Sequence, residues 1–189
     1  MKTIAIVFTL FFGLALNAQT GGTKVNGIII PNIVKVNDKF LKLNGAGVRE
    51  KMFLDLYIGA LYLSKKTTSA SGVINDDNLM SIKLRVISGM VTRENMEEAI
   101  RAGFEKATKG NSKSIESKIN DLINKGFAGD IEKGDVFDLD YVPGKGTYLK
   151  KNGKVLVIIS SLEFKKALFG IWLCDEPADA NLKKKMLGT

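Results

Sequence analysis

Arg49 is the residue of this chain whose type and setting most directly suggest chemistry. It lies in the segment LNGAGVREKMFLDLYIGALYL, residues 43–63, where a glycine-rich stretch leads into an otherwise apolar run. A guanidinium stays charged at any accessible pH and offers a rigid fork of donors that matches carboxylate or enolate oxygens. We therefore expect Arg49 to meet an anion. That anion is either a ligand or an interior carboxylate such as Asp55, unless Arg49 lies on the surface of a turn.

Composition excludes several classes of enzyme. The chain has 189 residues, no histidine and a single cysteine, Cys174. A Ser-His-Asp triad, a Cys-His dyad, the usual zinc ligand sets and an internal disulfide are therefore impossible. Cys174 follows an apolar helical pattern, which is typical of a small core residue; a reactive thiol is the alternative. The sequence predicts no cofactor.

Two other groups of residues resemble sites without matching their chemistry. Asp135, Asp138 and Asp140 form a carboxylate-rich run that could attract a hard cation. On a strand, however, Asp138 and Asp140 share a face and Asp135 points the other way, so exposed strand charges are expected and no metal site. The PGKGTY segment, residues 143–148, has the glycines and lysine of a phosphate loop but no following helix, which predicts a β-turn.

The apolar periodicity predicts strands first, then a helix pair, a strand meander and closing helices. Expected strands are 27–31, 33–36, 39–43, 52–63, 81–87, 135–141, 147–150 and 154–159, with a turn over 45–51 and a hairpin turn at Asn152-Gly153. Expected helices begin at a Thr92 cap and near Ser114, and close the chain over 162–173 and 178–187. This order predicts an α+β domain whose antiparallel sheet is covered on one face by helices.

The first residues have the pattern of a secretory signal. Lys2 precedes the apolar run 4–16, and Ala18 is a small residue before the expected cleavage site. The run is shorter than the ~20 residues that span a bilayer, so a membrane anchor is the weaker interpretation. We expect a signal peptide at residues 1–18, one domain at 19–189, and an exported protein, periplasmic or secreted, that is not integral to the membrane.

Charge favours anionic partners. The formal net charge of +8 becomes +7 when Lys2 is removed with the signal. Nucleic acid is not an expected partner, because the lysines occur in scattered pairs and are not interleaved with aromatic residues on one face.

Two segments resemble the chalcone isomerase superfamily. The stretch Gly45, Ala46, Gly47, Val48, Arg49, followed by residues 57–63, is similar to the family's G-A-G-V-R turn and aromatic-rich strand. The block FKKALFGIWLCDEPADANLKKKMLG, residues 164–188, is similar to the C-terminal signature of the bacterial branch. The resemblance implies an open-faced sandwich with a ligand cleft between its sheet and its helices.

The resemblance also implies two alternative functions. In the non-enzymatic branch an arginine and a tyrosine hold a fatty-acid carboxylate, and Arg49 and Tyr57 match that pair. In the enzymes, intramolecular lyases that act on enone or phenolic substrates, Arg49 matches the oxyanion-stabilising arginine. Tyr57 then replaces a threonine, and Thr92 stands where the enzymes have their catalytic tyrosine. Binding of a fatty acid or another small amphipathic acid is therefore the preferred interpretation. The further candidate ligand contacts, with ordinary core packing as their alternative, are Phe53, Phe104, Phe169 and Trp172.

Overall fold

The computed structural model describes residues 21–189, and the predicted signal segment 1–18 lies outside the described residues. A two-stranded hairpin, β1 (Gly22–Val25) and β2 (Ile28–Pro31), precedes a seven-stranded antiparallel sheet. The strands of that sheet are β3 (Ile33–Val36), β4 (Lys39–Lys51), β5 (Leu54–Leu63), β6 (Met80–Val86), β7 (Val136–Val142), β8 (Gly146–Lys151) and β9 (Lys154–Ile159). They lie side by side in chain order, so the sheet is a meander interrupted by helices.

Five helices accompany the sheet in the described part of the chain. They are α1 (Ala70–Asn75), α2 (Arg93–Thr108), α3 (Glu116–Asp121), α4 (Leu162–Leu173) and α5 (Ala180–Leu187). A 3-10 turn, Lys113–Ile115, and a π turn, Leu122–Gly126, flank α3. Side chains of Thr92, Ser161 and Asp179 cap α2, α4 and α5 by accepting backbone N–H bonds, as helix N-termini require. None of the helices described within residues 21–189 is long and apolar enough to cross a bilayer.

The two faces of the sheet bury different partners. Alternation along β5 points Tyr57 and Leu61 into the main core beneath α2, α4 and α5, and points Ile58 and Tyr62 to the opposite face. On that opposite face the β1–β2 hairpin covers a second, smaller apolar cluster, and the Tyr62 hydroxyl donates to the Pro31 carbonyl at 2.9 Å. The predicted α+β architecture, with helices on one face, is confirmed, and the hairpin is an addition to it.

The predicted turn over residues 45–51 is wrong, because β4 runs straight through it. Gly47 pairs directly with Gly59 of β5, and together with Gly45 these residues form a strip without side chains beneath α5. A Cβ on Gly47 would lie 2.6 Å from Cβ of Lys185, and one on Gly45 would collide with the Lys185 carbonyl oxygen. The glycines therefore serve close approach of a helix to the sheet, and the turn follows at Met52 and Phe53.

We expect Gly45→Ala to destabilise the protein by about 3 kcal/mol, since its methyl group must push the backbone of α5 off the sheet. Equilibrium denaturation measures the effect. Gly129→Ala is the matched control, because nothing lies within 4 Å of a Cβ at Gly129. Equal stability of the two variants would contradict the packing role of the glycine strip.

Candidate functional site

Arg49 and Tyr57 face each other directly across β4 and β5. They are cross-strand partners on the helix-covered side of the sheet, next to the Gly47–Gly59 pair. The guanidinium carbon lies 5.5 Å from the centre of the tyrosine ring, within the range of a cation–π contact. The strand register therefore brings together the two residues that the sequence analysis selected.

The half-buried side chain of Arg49 has no anionic partner in the part of the chain that the structure describes. Its Nε is buried without a hydrogen-bond partner, and no ion pair within residues 21–189 includes Arg49. Asp55, the candidate interior partner, instead accepts a bond from Asn26 at 2.9 Å. Asp179 accepts bonds from the backbone N–H groups of Glu50 and Leu182. Arg49 is thus a cation whose buried Nε has no partner among these residues.

Tyr57 is oriented as a hydrogen-bond donor. Its side chain is 3% exposed, and the indole Nε1–H of Trp172 donates to its hydroxyl oxygen at 2.8 Å. Because an indole can only donate, this bond occupies the oxygen as an acceptor and leaves the phenolic proton free for another partner. Burial raises the pKa of Tyr57 more than the nearby charge of Arg49 lowers it. The phenol therefore stays neutral, and able to donate, at physiological pH.

A cavity of about 180 Å³ opens beside this pair, between the β4–β5 turn and the start of α2. Its lining residues are Arg49, Lys51, Met52, Leu54, Leu56, Tyr57, Met90, Val91, Asn95, Met96 and Ala99. The walls are mostly apolar, and the lining has two cations and no carboxylate. The cavity is smaller than the ~300 Å³ at the lower end of typical small-molecule pockets, although flexible methionines form much of its wall.

The four aromatic candidates occupy other positions. Phe104 and Phe169 are packed in the main core, where Phe104 meets Phe164 with ring centres 5.5 Å apart. Trp172 donates a hydrogen bond to the hydroxyl of Tyr57 and does not line the cavity. Phe53 is 97% exposed at the β4–β5 turn. Of the predicted contacts, only Arg49 and Tyr57 line the cavity.

The remaining wall residues were missed by sequence reasoning. Met96 lies on the buried face of α2, but helical periodicity cannot show that the packing beside it leaves a space. Met90 lies in the loop before α2, and Asn95 lies in the first turn of α2. Neither residue carries a sequence signal of a site. Thr92 caps α2, as predicted, by accepting the N–H of Asn95 at 3.2 Å.

The acidic run on β7 is paired with lysines. Asp138 and Asp140 are buried, which corrects the expectation of exposed strand charges. Lys83 bonds Asp138 at 2.6 Å and Lys150 bonds Asp140 at 2.7 Å, across neighbouring strands. Within residues 21–189 no cluster of three potential metal-binding side chains is present.

Lys165 is a fully buried cation, and it differs from the half-buried Arg49 in having a hydrogen-bond acceptor for each of its donors. Its side chain is 0% exposed on α4, and its Nζ donates to the carbonyls of Val73, Ile74 and Asp76 at 2.7 to 3.1 Å. These carbonyls end α1, where a cation is favourable. Burial lowers the pKa of Lys165 to about 8, which still leaves it mainly protonated at pH 7. Lys165 is therefore explained by structure alone.

Comparison with known proteins connects this geometry to a family. A family model described as chalcone isomerase-like matches residues 22–188. A crystal structure of an Arabidopsis thaliana fatty-acid binding protein superposes with a TM-score of 0.67 at 17% sequence identity, covering 85% of this chain and 92% of that one. At this identity the superposition shows a shared fold. Among curated protein sequences, none matches this chain.

Replacement of Lys165 and of Arg49 by methionine should affect the free energy of unfolding differently. Lys165→Met should lower the free energy of unfolding by about 3 kcal/mol, because three carbonyls lose their donor. Arg49→Met should leave it unchanged or raise it by about 1 kcal/mol, because an unpartnered buried Nε is removed and an apolar stem is kept. Urea unfolding at pH 7 measures both. A large loss of stability for Arg49→Met would instead assign Arg49 a structural role.

Proposed function

We propose, from the premise that this chain belongs to the chalcone isomerase-like family, that it binds a fatty acid or a similar amphipathic carboxylate without converting it. The carboxylate lies at Arg49 and Tyr57, and the acyl chain lies against the apolar wall of the cavity. The observation that carries the proposal is the buried Nε of Arg49, which has no hydrogen-bond partner within residues 21–189, beside a Tyr57 hydroxyl whose oxygen accepts a bond from Trp172.

The chemistry of this pair suits a carboxylate. A guanidinium and a phenol on facing strands offer converging donors to two oxygen atoms, and bonds to charged groups are the stronger class of hydrogen bond. The bond from Trp172 holds the phenol in its donor orientation before ligand arrives, which reduces the entropy lost on binding. An anion at this site also pairs the otherwise uncompensated charge of Arg49.

The wall of the cavity suits an acyl chain of moderate length. Leu56, Val91, Met96 and Ala99 provide apolar contact, and each buried methylene contributes roughly 0.8 kcal/mol. At about 180 Å³ the cavity holds the head group and the first part of a chain, and rotation of Met96 or Met90 would admit more. The fold similarity to a protein described as fatty-acid binding supports this assignment.

An isomerase is the second candidate, because the same two donors would also stabilise an enolate oxygen. Against it, the lining residues include no carboxylate or histidine that could act as a general base, and the raised pKa of Tyr57 keeps that phenol protonated. Thr92 is used as a helix cap. A cyclisation assay with 2′-hydroxychalcone separates the two functions: turnover that Arg49→Met abolishes would overturn non-catalytic binding.

Binding of laurate, a C12 carboxylate, tests the proposed site. Trp172 is the only tryptophan in the chain and is bonded to Tyr57, so its fluorescence reports on the cavity directly. We expect saturable laurate binding that weakens roughly 10- to 100-fold in Arg49→Met and about fivefold in Tyr57→Phe, from the loss of one charged and one neutral hydrogen bond.

Two controls make the test specific. Arg101→Met removes an arginine that forms a surface ion pair with Glu97, and it should bind laurate as wild type does. Dodecanol has the same chain without the charge and should bind at least tenfold more weakly than laurate. Equal affinity for laurate and dodecanol, or equal affinity of the wild type and Arg49→Met, would refute carboxylate recognition by Arg49.

Export is a further part of the proposal. Its support is the pattern of Lys2, the apolar run 4–16 and Ala18. Expressed in a Gram-negative bacterium, the full chain should be recovered from the periplasm with a mass that lacks residues 1–18. Leu10→Arg interrupts the apolar run and should leave the full-length protein in the cytoplasm. Recovery of full-length wild-type protein from the cytoplasm would contradict export.

A further inference from the structure

Four apolar side chains are exposed at the mouth of the cavity. We call them the apolar tip: Met52, Phe53 and Leu54 at the β4–β5 turn, and Met90 in the loop before α2. Met52 is 82% exposed, Phe53 97% and Met90 58%. Three of the four also line the cavity, so the exposed apolar surface is continuous with the interior wall.

The turn that carries the apolar tip departs from the turn chemistry of the other two-residue hairpins in residues 21–189. Asn26-Gly27, Asn37-Asp38 and Asn152-Gly153 connect strands with positive φ at both positions, as such turns require. Met52 and Phe53 adopt the same conformation, with φ of 52° and 65°. For residues other than Gly, Asn and Asp that conformation is unfavourable, because Cβ approaches the following carbonyl oxygen.

Met52 and Phe53 therefore carry two free-energy costs. One is their backbone conformation, and the other is the exposure of their apolar side chains to water. Neither side chain gains compensating burial within residues 21–189. An exposed apolar pair in a backbone conformation that it does not favour indicates contact with something outside the chain.

Charge at the mouth of the cavity identifies the kind of partner. Arg49 and Lys51 are the ionisable side chains among the lining residues besides the neutral phenol of Tyr57, and no carboxylate lies among them. The carboxylates of the same hairpin, Glu50 and Asp55, are cross-strand partners outside the lining, and Asp55 accepts a bond from Asn26 of the β1–β2 turn. Apolar side chains beside cations match an anionic lipid surface, in which the side chains enter the acyl region and the cations meet the head groups.

We propose that the apolar tip inserts into the surface of an anionic phospholipid bilayer and that the carboxylate ligand enters the cavity from there. The identity of this cargo rests on the proposed function, whereas docking of the tip does not. On the bilayer, a fatty acid would pass from the acyl region along Met52, Leu54 and Met90 to the donors of Arg49 and Tyr57 without crossing water.

Flotation of the ligand-free protein with vesicles of phosphatidylcholine and phosphatidylglycerol (3:1) tests the docking. Phe53→Gly is the principal variant, because Phe53 does not line the cavity and glycine favours positive φ. We expect at least fivefold weaker partitioning into the vesicles with an unfolding midpoint no lower than that of the wild type. Met52→Asn combined with Phe53→Gly restores the turn chemistry of the other hairpins and should lose more of the vesicle binding.

Phe40→Ser is the matched control, since Phe40 is 71% exposed but lies near the opposite end of the sheet, beside the β3–β4 turn. It should partition as wild type does. Absence of wild-type binding to the anionic vesicles, equal binding of Phe53→Gly and wild type, or equal loss in Phe40→Ser would each overturn the proposal. So would a dimer in sedimentation velocity that Phe53→Gly dissociates without any vesicle binding.

Laurate titration separates this inference from the proposed function. Phe53→Gly should bind laurate in vesicle-free buffer within about threefold of the wild-type affinity, and Tyr57→Phe, which weakens laurate binding without removing a charge, should float with the vesicles as wild type does. If the wild type binds vesicles but not laurate, the proposed carboxylate ligand is refuted and the docking surface stands. If it binds laurate but not vesicles, the docking surface is refuted and the proposed function stands.

Discussion

The close packing of α5 on the glycines of β4 and β5 is the contact on which the position of the site depends. Gly45, Gly47 and Gly59 leave no side chains between helix and sheet, so Leu182 and Lys185 rest directly on the strands. The helix begins at its Asp179 cap, which also accepts the N–H of Glu50. The cover of the sheet by α5 therefore ends next to Arg49, and the cavity occupies the space between that point and α2.

The buried charges of the molecule differ in whether the protein itself satisfies them. Lys165 has three carbonyls, and Asp138 and Asp140 each have a lysine. Arg49 provides the one cationic atom among the buried side-chain atoms without a partner in residues 21–189. Asp140 also has one buried oxygen, Oδ1, without a partner, but its charge is paired with Lys150, whereas Arg49 has no ion-pair partner in these residues. Trp172 adds to the contrast, since its bond occupies the Tyr57 oxygen as an acceptor and leaves the phenolic proton free for another partner.

The β4–β5 hairpin combines two properties that usually occur apart. One end of it is rigid, held by cross-strand pairing and by the packing of α5, and it fixes the separation of Arg49 and Tyr57. The other end exposes Met52 and Phe53 in a conformation that neither residue favours. A rigid pair of donors and an apolar entrance are thus joined within a single supersecondary unit.

The sequence by itself determined the order and type of most elements, because period-two and period-3.6 patterns, caps and Asn-Gly turns act locally. It also selected Arg49 and Tyr57, through a charge in an apolar segment and through family resemblance. The local pattern at Gly45 and Gly47 predicted a turn. A glycine in a strand beneath a helix has the same local sequence pattern as a glycine in a loop, and only the position of the helix distinguishes the two. Local patterns also missed α1 and β1, whose short polar segments have little periodicity.

Only the tertiary structure decided which aromatic residues meet the cavity. Phe104, Phe169, Trp172 and Phe53 are alike in sequence pattern, yet two lie in the core, one supports Tyr57 and one points to solvent. The tertiary structure also decided that Arg49 has no carboxylate partner in the described residues. Whether Asp55 or Asp179 reaches the guanidinium depends on strand register and on the position of α5. An unfilled space or an unpaired atom is a property of many distant residues at once, and a local sequence pattern cannot record it.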